Sequence, residues 1–310
     1  MRIAVMGAGG IGSCYGGLLA RAGCDVTLIA RGAHLRAIQQ NGLQVNRRED
    51  SFTVQVPATD DPSEVGPVDL VLFTVKTYQN SDAIPFMKPL VGDESVVLTL
   101  QNGVESAEQL AQEHGVQRVL PGAAYLNGHV ESPGVVKQLS PYCRIAFGES
   151  NGDSSPRTLA VQETLSSGGI TAELSDDVVK VIWSKFLFNA PGNALTSAAR
   201  FPPRNFIAFP EGSALFKSAV QEIADVAKAN GVHLGQEDVQ TAMDYLANMP
   251  MGSRGSMQTD LEAGRPLELE AMVGAVGRIG RRVNVPTPIS DILYALLLPY
   301  KDGPPGDLCE

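Results

Sequence analysis

Lys185, Asn189 and Asn193 stand at intervals of four within the run from Val181 to Ser197, a spacing that lines them along one face of a helix. Their neighbours Trp183, Phe186, Leu187, Phe188 and Ala190 are apolar, so a polar stripe lies on an otherwise hydrophobic helix. Burying amides and an ammonium without partners is costly. The stripe therefore reads as a face turned toward a ligand; the alternative is a helix that pairs these groups with polar groups of its own protein. A lysine partly removed from water has its pKa lowered toward a useful range. It can then hand a proton to the alkoxide that develops when a carbonyl is reduced, general-acid help worth about 10²–10⁴ in rate.

A reduction also needs a hydride donor, and the N-terminus is built to hold one. Gly7, Ala8, Gly9, Gly10, Ile11 and Gly12 fit the pattern G-x-G-x-x-G between an apolar run, Arg2–Met6, and a helix-compatible run. In that setting the first glycine makes the tight turn, the second lets the backbone approach a pyrophosphate, and the third allows close helix–strand packing. The helix N-terminus then favours the anion. At the end of the next strand, where NAD enzymes carry an acidic residue for the ribose 2′-hydroxyl, stands Arg31. A guanidinium suits a 2′-phosphate, so NADPH/NADP+ is the expected cofactor; charge-assisted bonds of about 1.5–3 kcal/mol correspond to about a tenfold to over a hundredfold preference. The alternative for Arg31 is a solvated surface residue. Lys76 and Asn102 each follow a further strand, at the edge where open α/β sheets bind ligands; a solvated lysine and ordinary turn chemistry before Gly103 are the plainer readings.

The elements that must carry these residues alternate. Arg2–Met6, Asp25–Ala30, Asp69–Val75 and Ser95–Leu100 read as short buried strands, with helix-compatible stretches Ser13–Ala22 and His34–Gln40 among them. Shorter β segments between residues 118 and 148 are expected to add antiparallel strands that finish the sheet. From about residue 174 long amphipathic helices take over: Asp177–Ala199, Glu211–Asn230, Gln236–Asn248 and Glu268–Val283. The predicted fold is an α/β Rossmann-type dinucleotide-binding domain, residues 1–174, followed by an all-α substrate and catalytic domain, residues 175–310.

Composition narrows the function classes. A net charge of −10 argues against a nucleic-acid binder, which needs clustered Lys and Arg. No stretch approaches the ~20 apolar residues of a membrane span, and the N-terminus opens on a strand rather than a signal peptide. Cys14, Cys24, Cys143 and Cys309 lack CxxC spacing and read as reduced thiols of a cytoplasmic protein. Together with four scattered histidines they offer no metal site. The helical domain has apolar surface enough for a homodimer, although nothing in the sequence requires one.

Taken in order, Gly7–Gly12, Arg31, Val75-Lys76, Gln101-Asn102-Gly103, Trp183-Ser184-Lys185 with Asn189 and Asn193, Ser256-Met257 with Asp260, and Gly264–Glu268 resemble the ketopantoate reductase (2-dehydropantoate 2-reductase) family through most of the chain. The resemblance implies NADPH-dependent reduction of a small-molecule 2-keto acid, ketopantoate to D-pantoate in pantothenate and coenzyme A biosynthesis. It implies Lys185 as proton donor, Asn102 in contact with cofactor and substrate, and Asn189, Asn193 and Ser256 around the keto acid. It also implies Glu268 near the nicotinamide ribose and backbone around Gly128 lining the cofactor site. From the residues alone, Gly128 reads as a turn, Glu268 as the start of a solvent-facing helix and Ser256 as a helix cap. Pro203 and Ser253 stand where better-known members carry substrate-binding asparagines, and Arg204 in the loop Phe201–Asn205 could supply a carboxylate contact. These departures leave another 2-keto acid or related carbonyl compound open as substrate. A sugar or opine dehydrogenase is a further alternative. So is a non-catalytic NADP(H)-binding sensor, which would have no use for the polar stripe.

Overall fold

In the computed structural model, β1 (Arg2–Met6) directs Ile3 and Val5 into one core and Ala4 and Met6 into another, as the alternation of a strand requires. The structure describes residues 1–305; Cys309 lies outside the described residues. It comprises two units, one of Met1–Gln101 and Ser106–Val178, the other of Asn102–Glu105 and the chain from Val179 onward.

The first unit continues with α1 (Gly10–Arg21), β2 (Asp25–Ile29), α2 (Gly32–Asn41), β3 (Leu43–Asn46), β4 (Ser51–Val54), β5 (Ala58–Thr59) and β6 (Val68–Phe73). It runs on through α3 (Asn80–Phe86), β7 (Val91–Thr99), α4 (Ser106–His114), β8 (Val119–Tyr125), β9 (Gly128–Ser132), β10 (Val135–Gln138), β11 (Arg144–Phe147), α5 (Pro156–Ser167) and β12 (Thr171–Leu174). Eight strands form the main sheet in the order β12-β11-β8-β7-β6-β1-β2-β5. Every neighbouring pair is parallel except β8 with β11. Such strands are covered on both faces: α3 and α4 supply Ala83, Ile84 and Leu110 to one core, while α1 and α5 supply Tyr15, Leu18, Leu19, Val161 and Leu165 to the other.

The segment from 118 to 148 corrects the expectation that all its strands finish this sheet. Only β8 and β11 do; β9 and β10 join β3 and β4 in a separate sheet of order β4-β3-β10-β9. The physical reason is burial. β9 is exposed along nearly its whole length, unlike a strand covered on both faces, whereas Val136 of β10 shares one core with Leu43 and Val45 of β3 and Tyr15 of α1.

The second unit is helical: α6 (Val178–Ala199), α7 (Pro203–Phe206), α8 (Pro210–Ala229), α9 (Gln236–Ala247), α10 (Ser256–Glu262), α11 (Ala275–Val283) and α12 (Pro288–Leu297). α6 is apolar around most of its circumference, the signature of a helix buried on all sides; Trp183, Phe186, Leu187, Ala190 and Ala194 pack with Phe216, Val220 and Ile223 of α8 and Val276 of α11. The helix expected from Glu268 to Val283 is divided. A π-helical turn, Glu270–Gly274, with Met272 outside helical angles (φ −100°, ψ −113°), precedes α11. Among the described residues no helix is long and apolar enough to cross a membrane.

The unit is tied across α8 and α12 by Glu222, a buried carboxylate that accepts from the Ile289 and Ser290 N–H groups, both at 2.9 Å, and from Ser290 Oγ at 2.6 Å. It supplies the N-terminal acceptor that Thr287, the N-cap of α12, does not, and its charge complements the helix dipole. Glu222→Ala should therefore lower the free energy of denaturant unfolding by about 2–4 kcal/mol. A loss below about 0.5 kcal/mol, the range of an ordinary surface change, would contradict this role.

Candidate active site

In the second unit the predicted residues form one hydrogen-bonded chain. Asn102 Oδ1 accepts from Lys185 Nζ at 3.1 Å and from Asn189 Nδ2 at 3.2 Å. Asn189 in turn accepts from Asn193 Nδ2, through its side-chain oxygen at 2.7 Å and its carbonyl at 2.8 Å. Asn193 Oδ1 accepts from the Met257 N–H at 3.0 Å and Ser256 Oγ at 3.4 Å, at the first turn of α10. On its other side, Asn102 Nδ2 donates to Glu268 Oε2 at 3.5 Å. The stripe on α6 is thus satisfied by polar groups of its own protein, the alternative that its sequence left open. Yet it is not sealed: Lys185, Asn189 and Asn102 are half-buried and Ser256 is exposed.

The electrostatics follow from this position. Burial lowers the Lys185 ammonium from 10.5 to about 8, against the opposing pull of the Glu268 carboxylate, because desolvation disfavours the charged form. Glu268 itself is only 6 % exposed, which overturns its reading as the start of a solvent-facing helix.

Asn102 reaches this position because the segment Asn102–Glu105 packs with the helical unit. Gly103 takes a left-handed conformation (φ +90°), and a Cβ there would come within 2.8 Å of the Ala271 carbonyl oxygen. Arg278 Nη2 holds Glu105 at 2.7 Å while its Nη1 holds Glu270 at 2.7 Å. Sequence reasoning did not select Glu105, Ala271, Glu270 or Arg278; Gly103, noted only as turn chemistry, was the one local signal.

In the first unit, Gly7 has φ +101° and a Cβ there would meet Val75 at 2.7 Å. A Cβ on Gly12 would strike the Gly7 carbonyl and Thr74, and one on Gly10 would strike the Gly128 carbonyl and His129. Gly9 differs: nothing lies within 4 Å of the place its Cβ would take, and as N-cap of α1 it provides no side-chain cap. Ala8 is buried and Ile11 half-buried beside it. The result is a helix N-terminus with free N–H groups behind an open space, the cradle a pyrophosphate needs. Gly128 begins β9 rather than forming a simple turn, and its backbone walls this N-terminus. Arg31, just past β2, is exposed, with its guanidinium 5.5 Å from the centre of the Phe86 ring. Lys76 follows β6, half-buried, before a short 3-10 turn. Gln101 ties this edge together, donating to the Val75 carbonyl at 2.8 Å and Asn80 Oδ1 at 2.7 Å.

Pro203 and Ser253 stay out of the hydrogen-bonded chain among the described residues. Pro203 is buried at the first position of α7, where the sequence suggested a loop, and Ser253 closes a turn onto the Pro250 carbonyl. Arg204 is exposed and donates to the Met249 carbonyl at 3.3 Å. Cys14 and Cys143 are buried thiols whose pKa is pushed up to about 12 by desolvation, as packed rather than reactive cysteines require.

Residues 3–152 match the family described as ketopantoate reductase PanE/ApbA, and residues 177–301 match its C-terminal counterpart. The chain is 30% identical to a 2-dehydropantoate 2-reductase of Mesorhizobium japonicum over 96% of its own length and 97% of that protein. It superposes on the crystal structure of a PanE/ApbA family ketopantoate reductase from Ralstonia eutropha with a TM-score of 0.90 at 32% identity, covering 97% of this chain and 98% of that one. A ternary structure of D-mandelate dehydrogenase with NADH and anilino(oxo)acetate is similar at a TM-score of 0.89 and 25% identity, covering 97% and 98% of the two chains.

The open side of Gly9 separates folding from binding. Gly9→Ala has room for its methyl group and a backbone conformation (φ −80°, ψ −162°) that alanine adopts, so thermal unfolding should match the wild type. Dinucleotide affinity, followed by fluorescence titration, should fall at least about tenfold. Unchanged affinity would mean that this space is not where the dinucleotide lies.

Proposed function

This chain belongs to the ketopantoate reductase family, and on that premise we propose that it reduces a small 2-keto acid with NADPH, 2-dehydropantoate going to D-pantoate. The observation that carries this reading is the shared hold of Lys185 and Asn189 on Asn102, which fixes an ammonium of pKa about 8 beside an oriented amide.

The glycine loop and the N-terminus of α1 suit the pyrophosphate, Arg31 suits a 2′-phosphate, and Lys76, Gly128 and Glu268 complete the set assigned to the cofactor. The bound nicotinamide supplies the hydride. Lys185 supplies the proton: its N–H bond breaks as the O–H bond of the product hydroxyl forms, and the neutral amine recovers a proton from solvent. A group of pKa near the working pH is suited to that exchange. Asn102 holds the Lys185 Nζ in place, the second amide N–H of Asn189 offers a donor to the keto acid, and the exposed Ser256 hydroxyl reaches it by turning its one O–H away from Asn193 Oδ1. Asn193 is buried, with both of its amide atoms engaged, so its part is to orient Asn189.

A second reading, a 2-keto acid other than ketopantoate, is favoured by Pro203, a buried residue without a hydrogen-bonding side chain at a position where the family resemblance implies a substrate-binding asparagine. The similarity to a D-mandelate dehydrogenase, whose ternary structure holds NADH and anilino(oxo)acetate, widens the set to 2-keto acids that carry an aromatic ring.

The test is oxidation of NADPH and of NADH, followed by absorbance, with ketopantoate and with aliphatic and aryl 2-keto acids. NADPH should be preferred, and Arg31→Ala should reduce that preference about tenfold or more. Lys185→Ala should lower kcat by about 10²–10⁴ with dinucleotide binding retained. Reduction uses the protonated amine, so kcat should be level below pH 8 and fall above it, tracking loss of the proton from Lys185. Turnover confined to another keto acid would move the substrate and keep the chemistry. Dinucleotide binding without any turnover would make the protein a sensor.

A further inference from the structure

The glycine loop is joined to the small sheet through one imidazole. The Gly134 N–H, at the turn between β9 and β10, donates to His34 Nδ1 at 3.0 Å. A backbone N–H can only donate, so Nδ1 carries no proton and the ring hydrogen is on Nε2. His34 Nε2 lies 3.4 Å from Ser13 Oγ, and Ser13 Oγ donates to the Ala8 carbonyl at 3.0 Å. Every donor in this series finds an acceptor in one direction: Gly134 to His34, His34 to Ser13, Ser13 to Ala8.

Both ends of the series are fixed. Ala8, inside the loop, is 6 % exposed and its own N–H is held by the Ile29 carbonyl at 3.0 Å, so its two peptide planes are pinned on either side. Gly134 has φ +78°, and a Cβ there would meet Ala37 of α2 at 2.9 Å, so the turn is seated on the helix that carries His34. Ser13 is fully buried. Burial also lowers the His34 pKa below 6.5, against the Ala8 backbone, which the ring approaches as well and which raises it; Nδ1 stays available as an acceptor.

We propose that neutral His34 is a positioning residue for the dinucleotide: at the Ala8 carbonyl, with Ser13 as its link, it sets the orientation of the Ala8–Gly9 peptide, and with it the N–H groups at the start of α1. The proposal rests on the reading that this loop binds the dinucleotide. His34 reaches the ligand only through the loop, so its removal affects dinucleotide affinity and leaves the handling of the keto acid unchanged.

The experiment is fluorescence titration of the purified full chain with NADPH and with NADH, alongside steady-state kinetics at saturating dinucleotide and thermal unfolding. His34→Ala should weaken both dinucleotides about tenfold, the equivalent of one to two lost hydrogen bonds. The keto-acid KM and the kcat should stay within about twofold of the wild type, a difference too small to register as a lost hydrogen bond. His34→Gln, whose amide can still donate to Ser13, should recover most of the affinity. Ser13→Ala removes the middle link with little change of volume; it should reproduce the His34→Ala phenotype, and the double variant should be no weaker than either single one, as for residues acting in one series. Wild-type affinity in both single variants would overturn the proposal, as would parallel losses in dinucleotide affinity, keto-acid KM and melting temperature. Absence of dinucleotide binding in the wild type would instead overturn the reading of the loop on which the proposal stands.

Discussion

A polar stripe on a helix that is otherwise buried has to be satisfied, and here a single amide oxygen satisfies the end of it that does chemistry. Asn102 Oδ1 accepts from the Lys185 ammonium and from Asn189 at once. Burial of this lysine pushes its pKa down to about 8, against the opposing pull of the Glu268 carboxylate, because desolvation disfavours the charged form. The same amide donates through Nδ2 to the Glu268 carboxylate, so Asn102 joins the lysine, Asn189 and the carboxylate.

Much of the second unit can be understood as support for that oxygen. The left-handed Gly103 brings the backbone against Ala271, Arg278 clamps Glu105 and Glu270, and Asn193 passes the orientation of Asn189 on to the first turn of α10. The first unit follows a different rule. Three of its loop glycines are there because backbone or side chain already fills the space of a Cβ, whereas Gly9 is flanked by empty space. Close packing fixes the loop, and the one unfilled side is left for an anion.

The sequence carried the local part of this architecture and missed the long-range part. β1 and β2 could be read because apolar runs end at glycine or at the sheet edge, α8 and α9 because their apolar spacing is helical, and α6 from its length and the interval of its polar residues. The stripe was legible from three residues at one interval. β9 and β10 were misplaced because short exposed strands carry no alternation strong enough to name a partner, and β10 pairs with β3 about ninety residues earlier. Glu268 was read as solvated because its bonded partner, Asn102, lies 166 residues away. Neither Glu105 nor Arg278 has any sequence pattern, since an ion pair across 173 residues is written only in the fold.

The proton transfer depends on the ionisation of Lys185, and the direct measurement is the titration of that amine. With ¹³C-labelled lysine, the Cε resonance missing from Lys185→Ala identifies the residue, and its shift can be followed from pH 6 to 11. A midpoint at about 8 is expected. A midpoint at the ordinary lysine value of 10.5 would mean that burial does not tune this amine, and would contradict its assignment as the proton donor.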